Sequence, residues 1–145
     1  MRRRLPYAIT GVGAVALNNE RILLVKRGWP PGEGVWAVPG GVVEAGESLR
    51  NAVVRELEEE TRLKGRPAGI IHVDEIIVRE ENRVEYHYVL VAILVREVRG
   101  APRPGGDAVD AAWIRLDEVD SFRLAGSTRR IINRVMEGPV MLPLR

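Results

Sequence analysis

The stretch GVVEAGESLRNAVVRELEEETRL, residues 41–63, combines the apolar spacing of a helix with a cluster of acidic side chains. Apolar side chains recur at three- and four-residue intervals from Leu49 to Leu57, which predicts an amphipathic helix from about Ser48 to Arg62. At about 100° per residue, three glutamates fall on the same arc as the apolar stripe. They are Glu56, Glu59 and Glu60.

Carboxylates on an apolar arc need an explanation, because like charges at this spacing repel and partial desolvation increases the cost. The simplest interpretation is a solvated, charged helix whose apolar stripe ends after Val53, with Glu58 pointing away. Two other arrangements would relieve the repulsion: a shared proton with raised pKa values, or a bound divalent cation.

The neighbouring residues favour the cation. The chain has no cysteine and no histidine near this stretch, so its oxygen ligands suit a hard ion, Mg²⁺ or Mn²⁺. The Pro39-Gly40-Gly41 segment is predicted to be a turn that allows the backbone to approach this ion, because glycine has no Cβ. Mg²⁺ usually completes its coordination with phosphate oxygens, which points to a phosphate-containing substrate.

The length and composition indicate one globular domain spanning residues 1–145, with 46% apolar and 29% charged residues. The net charge is only +2, so nucleic acid is an unlikely partner on charge alone. No apolar run approaches the roughly 18–20 residues of a membrane span, and the first residues do not resemble a signal peptide. We therefore expect a cytoplasmic protein without a membrane partner.

The rest of the chain alternates β-rich runs with turns, and its two helices are not in strict alternation with strands. This pattern predicts a mixed sheet sandwiched by helices. The predicted strands are residues 7–17, 21–27, 35–38, 70–79, 83–99 and 111–116, with turns at 18–20 and 80–82. The predicted loops are 28–34 and 101–110, a helical turn is expected at 116–120, and a second helix at 128–136.

The acidic stretch resembles the Nudix box. The matching positions are Gly41, Glu47, Arg55, Glu56, Leu57, Glu59, Glu60 and Leu63. The lead-in at residues 35–41 and the late Asp107, Asp110 and Trp113 also look like the family. Arg62 stands where the family carries glycine. Either Arg62 keeps a left-handed helix end, at a cost of roughly 1 kcal/mol, or the chain reversal moves to Lys64-Gly65.

This resemblance implies an α/β/α sandwich with a mixed sheet, in which the box forms a loop-helix-loop metal site. It also implies hydrolysis of a nucleoside diphosphate linked to another moiety. By the same resemblance, Glu56 and Glu60 are direct metal ligands and Glu59 is a ligand or a water-mediated contact. Gly40 provides a carbonyl ligand. Arg55 and Glu47 form a supporting pair, which we count with Glu56 and Glu59 as the catalytic set.

The general base and the substrate contacts stay open at this level. The base is one of the box glutamates or an acidic residue elsewhere, with Asp107, Asp110, Glu80 and Glu81 as candidates. Asp107 and Asp110 are also candidate substrate contacts, together with Trp29, which could stack on a base from its Pro/Gly loop. Trp36 and Trp113 are predicted to be core residues. His72 and His87 are predicted to be packing or hydrogen-bonding residues rather than metal ligands.

Three functions fit the resemblance. The first is a pyrophosphohydrolase for ADP-ribose or a related nucleotide sugar, and the second is a MutT-like enzyme that cleaves ordinary or oxidised nucleoside triphosphates. The third is a nucleotide-binding regulator without turnover. The apolar tail at residues 138–145 could cover a homodimer surface, although packing on its own domain is the simpler interpretation.

Overall fold

In the computed structural model, the described residues are 6–29 and 32–145. The strands are β1 (Ile9–Asn18), β2 (Arg21–Arg27), β3 (Trp36–Ala37), β4 (Gly40–Val42), β5 (Arg66–Glu80), β6 (Arg83–Arg96) and β7 (Ala108–Arg115). The helices are α1 (Leu49–Thr61) and α2 (Gly126–Met136), with a 3₁₀ turn at Leu116–Ser121. None of the described helices is both long and apolar enough to span a membrane.

The strands form one mixed sheet whose main path runs β3-β2-β1-β6-β5. Strands β1 and β6 are parallel, whereas the β5–β6 and β1–β2 hairpins are antiparallel. Two strands off this path complete the sheet: the short β4 pairs with β1, and the eight-residue β7 pairs with β2. The mixed sheet predicted from the order of elements is therefore confirmed.

The two faces of the sheet carry separate apolar clusters because side chains alternate along each strand. On β1, Val12, Ala14 and Ala16 face the cluster that includes α1, whereas Val15 faces the cluster that includes α2. Each helix thus covers one face, which confirms the α/β/α sandwich.

Both predicted hairpin turns are present. Asn19 and Glu20 have φ values of 48° and 66°, and Glu81 and Asn82 have φ values of 50° and 65°. Consecutive left-handed residues in a two-residue loop define a type I′ turn, whose twist matches that of the flanking strands. The β5–β6 hairpin is long, with fifteen and fourteen residues in its strands.

Several predicted boundaries are wrong. Residues 40–42 form strand β4 rather than a turn, because the glycine backbone lies against β1: a Cβ on Gly40 would lie 2.1 Å from the Val12 carbonyl oxygen. Residues 66–69 and 108–110 belong to strands, whereas β6 ends at Arg96, before Glu97 turns with φ of 63°. The second helix begins at Gly126. In the predicted loop 28–34, Pro30 and Pro31 lie outside the described residues.

The C-terminal tail packs on its own domain. The backbones of Ile70 and Leu142 exchange two hydrogen bonds of 2.8 Å, and Met141 and Leu144 pack against the two apolar clusters. The simpler interpretation of this apolar segment therefore holds. The two tryptophans predicted as core residues are only half-buried: Trp36 packs edge-on against Phe122, and the indole N–H of Trp113 donates to the Gly100 carbonyl.

Candidate active site

Helix α1 carries the first acidic group of the site into the protein. Ser48 caps the helix just before its first residue, and its hydroxyl accepts a hydrogen bond from the Asn51 amide. Two turns later, Glu56 is only 9% exposed. Its carboxylate lies against the backbone of Gly41, where an added Cβ would come within 2.5 Å of it. Glycine at position 41 therefore leaves room for this carboxylate, which a side chain there would displace.

Glu60 provides the second acidic group, one helical turn after Glu56. Its Oε1 accepts a hydrogen bond of 2.9 Å from the Gly40 amide. Burial raises the pKa of Glu60 to about 7, and the negative charges of Glu56 and Asp107 act in the same direction. The Gly40 hydrogen bond and the positive charge of Arg27 oppose that rise in the pKa. The cost of ionising Glu60 therefore comes mainly from lost hydration.

Arg55 orients the neighbouring acidic side chains through hydrogen bonds. Its Nε and Nη2 donate to the two oxygens of Glu47 over 2.7 and 2.8 Å, the two-pronged geometry that a guanidinium allows. Its Nη1 donates to Glu56 over 2.8 Å and to Glu59 over 3.3 Å, and Nη2 also reaches the Val42 carbonyl. The contact between Arg55 and Glu47 expected from the sequence is present.

The pKa values of the two carboxyl groups nearest Arg55 are shifted in opposite directions. Hydrogen bonds from Arg55, and then from the Glu44 backbone, lower the pKa of Glu47 to about 2. Burial raises the pKa of Glu56, and the hydrogen bond from Arg55 only partly opposes this rise. Glu47 is therefore a stable anion that orients Arg55, whereas Glu56 still lacks full compensation for its charge.

Glu59 departs from the predicted pattern. The helical wheel placed it on the core-facing arc with Glu58 pointing away. Glu58 does extend outward to Lys64, but Glu59 is itself exposed. The reason is that Glu59 lies beside a cavity rather than beside the core. Among residues 6–29 and 32–145, no three acidic, histidine or cysteine side chains are assembled as a ready metal cage.

The donor set nevertheless suits a hard divalent ion. Burial raises the pKa of both Glu56 and Glu60, and the negative charge of Glu56 adds to the cost of ionising Glu60. Mg²⁺ commonly uses only one or two carboxylates and takes waters and substrate phosphates for its remaining ligands. Two inward carboxylates next to the narrow Gly40-Gly41 backbone fit that mode, with Glu59 available at the cavity edge.

A cavity of about 730 Å³ opens beside these carboxylates. Its floor includes Gly11 and Gly13 of β1, which carry no side chains to fill it. One flank is basic and the other is apolar and aromatic. The flanking residues are Lys26 and Arg27 on the first side, and Ile76, Val78, Tyr86 and Tyr88 on the second, with Thr128 of α2 along the wall.

Of the other predicted site residues, only some line the cavity. Asp107 lines it, close enough to affect the ionisation of Glu60. Asp110 does not line it, since it lies in β7 opposite Lys26 and accepts from the Ala111 amide. Trp29 is 63% exposed and does not line the cavity either. Glu80 and Glu81 lie at the far turn of the β5–β6 hairpin.

The loop that carries Asp107 is attached to the end of α1. The amides of Arg103 and Gly105 donate to the Thr61 and Glu60 carbonyls over 2.9 and 3.2 Å, which satisfies two acceptors that a helix end leaves open. Arg62 ends the helix with φ of 65° and ψ of 9°. Of the two alternatives for this position, Arg62 therefore keeps the left-handed geometry.

Sequence reasoning missed both flanks of the cavity. Tyr86 and Tyr88 carry a signal that could have identified them, because two aromatics at alternate positions of a strand share one face. Lys26 and Arg27 carry no such signal, since basic residues at a strand end are usually solvated. The prediction that His87 is a hydrogen-bonding residue agrees with its Nε2, which lies 3.3 Å from Glu75 Oε2.

Comparisons with known proteins agree with this geometry. The NUDIX domain family matches residues 8–135. An ADP-ribose pyrophosphatase of Methanocaldococcus jannaschii is 31% identical over 130 residues, covering 90% of this chain and 74% of that protein. A putative 8-oxo-dGTP diphosphatase of Bacillus subtilis is 48% identical over 122 residues, covering 83% of this chain and 76% of that protein.

The fold has solved counterparts as well. The crystal structure of a MutT NUDIX hydrolase from Burkholderia pseudomallei superposes with a TM-score of 0.79 and 30% identity, covering 89% of this chain and 98% of that one. The family match spans α1 with its acidic residues, the Gly40-Gly41 backbone and both flanks of the cavity. The chain therefore belongs to the Nudix family and is a Nudix pyrophosphohydrolase.

Proposed function

We propose that the protein cleaves a nucleoside diphosphate linked to another moiety, and that ADP-ribose or a related nucleotide sugar is its preferred substrate. One observation carries the proposal: the desolvated carboxylates of Glu56 and Glu60 lie at a cavity whose two flanks differ in chemistry. A pyrophosphate held at the carboxylates would leave one moiety on each flank. Nudix enzymes act on nucleotide derivatives of this kind.

Nudix hydrolases generally need a divalent metal, and we propose Mg²⁺ or Mn²⁺ here. Glu56 and Glu60 would hold it, with Glu59 directly or through water and the Gly40 carbonyl as a further ligand. When bound, the ion supplies charge neutralisation for the phosphates and activation of the attacking water. The raised pKa values of Glu56 and Glu60 support this role, because two desolvated carboxylates gain most from a nearby cation.

The other residues act through position and charge. Arg55 is a positioning residue that keeps Glu56 and Glu59 oriented, and Glu47 fixes Arg55 in turn. The general base is one of the box glutamates or Asp107, since Asp107 is the late acid that lines the cavity. A base there would accept a proton from the water that attacks phosphorus.

A MutT-like activity is the second candidate. Lys26 and Arg27 line one flank of the cavity, and their positive charge suits the additional phosphate of a nucleoside triphosphate. The Bacillus subtilis relative named as a putative 8-oxo-dGTP diphosphatase supports the same alternative. A regulator without turnover has no such support, because the family relatives are pyrophosphohydrolases and binding alone does not require the full acidic set.

A substrate panel with Mg²⁺ separates these functions. We expect ADP-ribose to give AMP and ribose 5-phosphate with the highest kcat/KM among ADP-ribose, 8-oxo-dGTP and unmodified triphosphates. Cleavage of 8-oxo-dGTP to monophosphate and pyrophosphate, without cleavage of ADP-ribose, would instead establish the MutT-like function. Nucleotide binding without any hydrolysis product would contradict both activities and favour a regulator without turnover. A cytoplasmic location, a single domain over residues 1–145 and a homodimer stay predictions.

A further inference from the structure

The aromatic flank of the cavity is built by the long β5–β6 hairpin. In its register, Ile76 faces Tyr88 and Val78 faces Tyr86, so these four residues form two directly opposed cross-strand pairs. All four line the cavity that contains the carboxylates. Because residues two apart on a strand point to the same side, the pairs form one continuous apolar wall.

The two tyrosine rings in this wall are nearly parallel. Their centroids lie 6.3 Å apart and their planes differ by 15°. Both side chains are half-buried, so the aliphatic pairs support them while part of each ring remains accessible. Every nucleobase has a flat π-face that stacks on aromatic side chains, whereas a ribose or a phosphate gains little from such a wall.

The sheet sets the distance between this wall and the acidic residues. Gly41, against which Glu56 packs, pairs with Val12 of β1, and Val12 pairs with Val91 of β6. Tyr88 lies three residues before Val91. Two strand spacings across the sheet and three residues along it separate the Cα atoms of Gly41 and Tyr88 by roughly 14 Å. That interval leaves room for a ribose between a base on the tyrosines and phosphates at the carboxylates.

We propose that Tyr86 and Tyr88, supported by Ile76 and Val78, form the nucleobase subsite of this enzyme. The inference rests on the proposed function, in that it takes the substrate to be a nucleotide derivative. It assigns base recognition to the β5–β6 hairpin rather than to the Trp29 loop. Trp29 is the matched alternative, because it is a more exposed aromatic residue that does not line the cavity.

Binding of AMP and of ribose 5-phosphate to the full chain with Mg²⁺ tests this assignment by calorimetry. AMP contains no pyrophosphate to cleave, and ribose 5-phosphate is the same ligand without its base. The double variant Tyr86→Leu/Tyr88→Leu should bind AMP about tenfold or more weakly, as expected for lost base stacking. Its affinity for ribose 5-phosphate should be unchanged. Trp29→Ala should bind both ligands as the wild type does.

Control variants distinguish the loss of the aromatic rings from a loss of folding. Tyr86→Phe/Tyr88→Phe keeps both rings and should retain AMP affinity, whereas thermal melting shows whether the leucine pair is folded. If that pair is unfolded, Tyr88→Leu alone replaces it. Equal losses for both ligands, a loss only in Trp29→Ala, or no preference of the wild type for AMP over ribose 5-phosphate would overturn the subsite. Tyrosine-dependent AMP binding without any hydrolysis of nucleotide sugars would refute the proposed function and leave the subsite intact.

Discussion

Helices α1 and α2 cover opposite faces of one sheet, yet the polar groups that they bury differ. On α2 the buried residues are Thr128, Ile131 and Ile132, and the Thr128 hydroxyl accepts a hydrogen bond of 3.1 Å from the Val38 amide. The arginines of α2 at positions 129, 130 and 134 are all exposed. Every buried group of this helix is therefore apolar or has a hydrogen-bond partner, as a packing helix requires.

Helix α1 instead buries a carboxylate in its apolar stripe. Glu56 lies among buried Ala52, Val53 and Leu57, and the raised pKa of Glu56 shows that the contact with Arg55 does not fully offset its burial. Burying a charge is costly unless a partner compensates it. The comparison shows when a polar residue in an apolar stripe indicates function: its side chain points into the protein, and its neighbours do not fully balance its charge.

The largest expected effect comes from removing the inward charge of α1. Glu56→Gln should lower kcat by about two orders of magnitude or more, because it removes a carboxylate that we propose as a metal ligand. The free energy of unfolding should change by only about 1 kcal/mol, since a raised pKa means that the charge itself is not stabilising. Steady-state kinetics and urea unfolding measure the two quantities.

Two controls sharpen this comparison between the helices. Glu58→Gln, on the same helix beside Lys64, should keep kcat. Ile131→Val on α2 should cost about 0.5–1.5 kcal/mol of stability and leave kcat unchanged. Full activity in Glu56→Gln would mean that the interruption of the α1 stripe is not catalytic.

A smaller effect is expected in the pH dependence of stability without divalent ions. Glu60 has a pKa of about 7 in the folded protein and 4.5 as its ordinary value, so between these values only the folded state keeps the proton. The stability that Glu60 contributes is present below pH about 4.5 and is lost as the pH rises through about 7. The loss should be on the order of 3 kcal/mol.

Urea midpoints between pH 4 and 8 in the presence of a chelator measure this slope. Glu60→Gln should make it shallower, leaving the smaller part due to Glu56, whereas Glu58→Gln should not change it. Mg²⁺ should also flatten it, because a bound cation favours the ionised carboxylates. If the stability of Glu60→Gln still falls steeply with rising pH, groups other than Glu60 cause the pH dependence.

The smallest effect concerns the end of α1. Arg62→Gly should raise the free energy of unfolding by about 1 kcal/mol or less, because glycine adopts the left-handed conformation of this residue without strain. Arg62→Ala separates the backbone from the side chain, since it keeps a Cβ and removes the guanidinium beside Gly105. Chemical denaturation detects the difference. A destabilised glycine variant would show that the guanidinium contact outweighs the backbone strain.

Local patterns predicted much of this molecule. The period of the apolar side chains located α1 within one residue. The polar stretches at 18–20 and 80–82 located both hairpins, whose loops are two residues long. The pairing of Arg55 with Glu47 followed from the resemblance to the Nudix box. Strand β4 was missed because its glycines form a strand only by pairing with β1, which no local signal contains.

The sequence by itself determined the amphipathic period of α1, its acidic residues and the family resemblance, because these depend on spacings within about twenty residues. Only the tertiary structure decided that Asp107 reaches the cavity and Asp110 does not, and that Tyr86 and Tyr88 share a cavity with Glu56. These relations arise from pairing between strands far apart in the chain, which sets the register and the order of the sheet. A linear pattern shows which side of a strand a residue occupies, but not which distant residues meet it there.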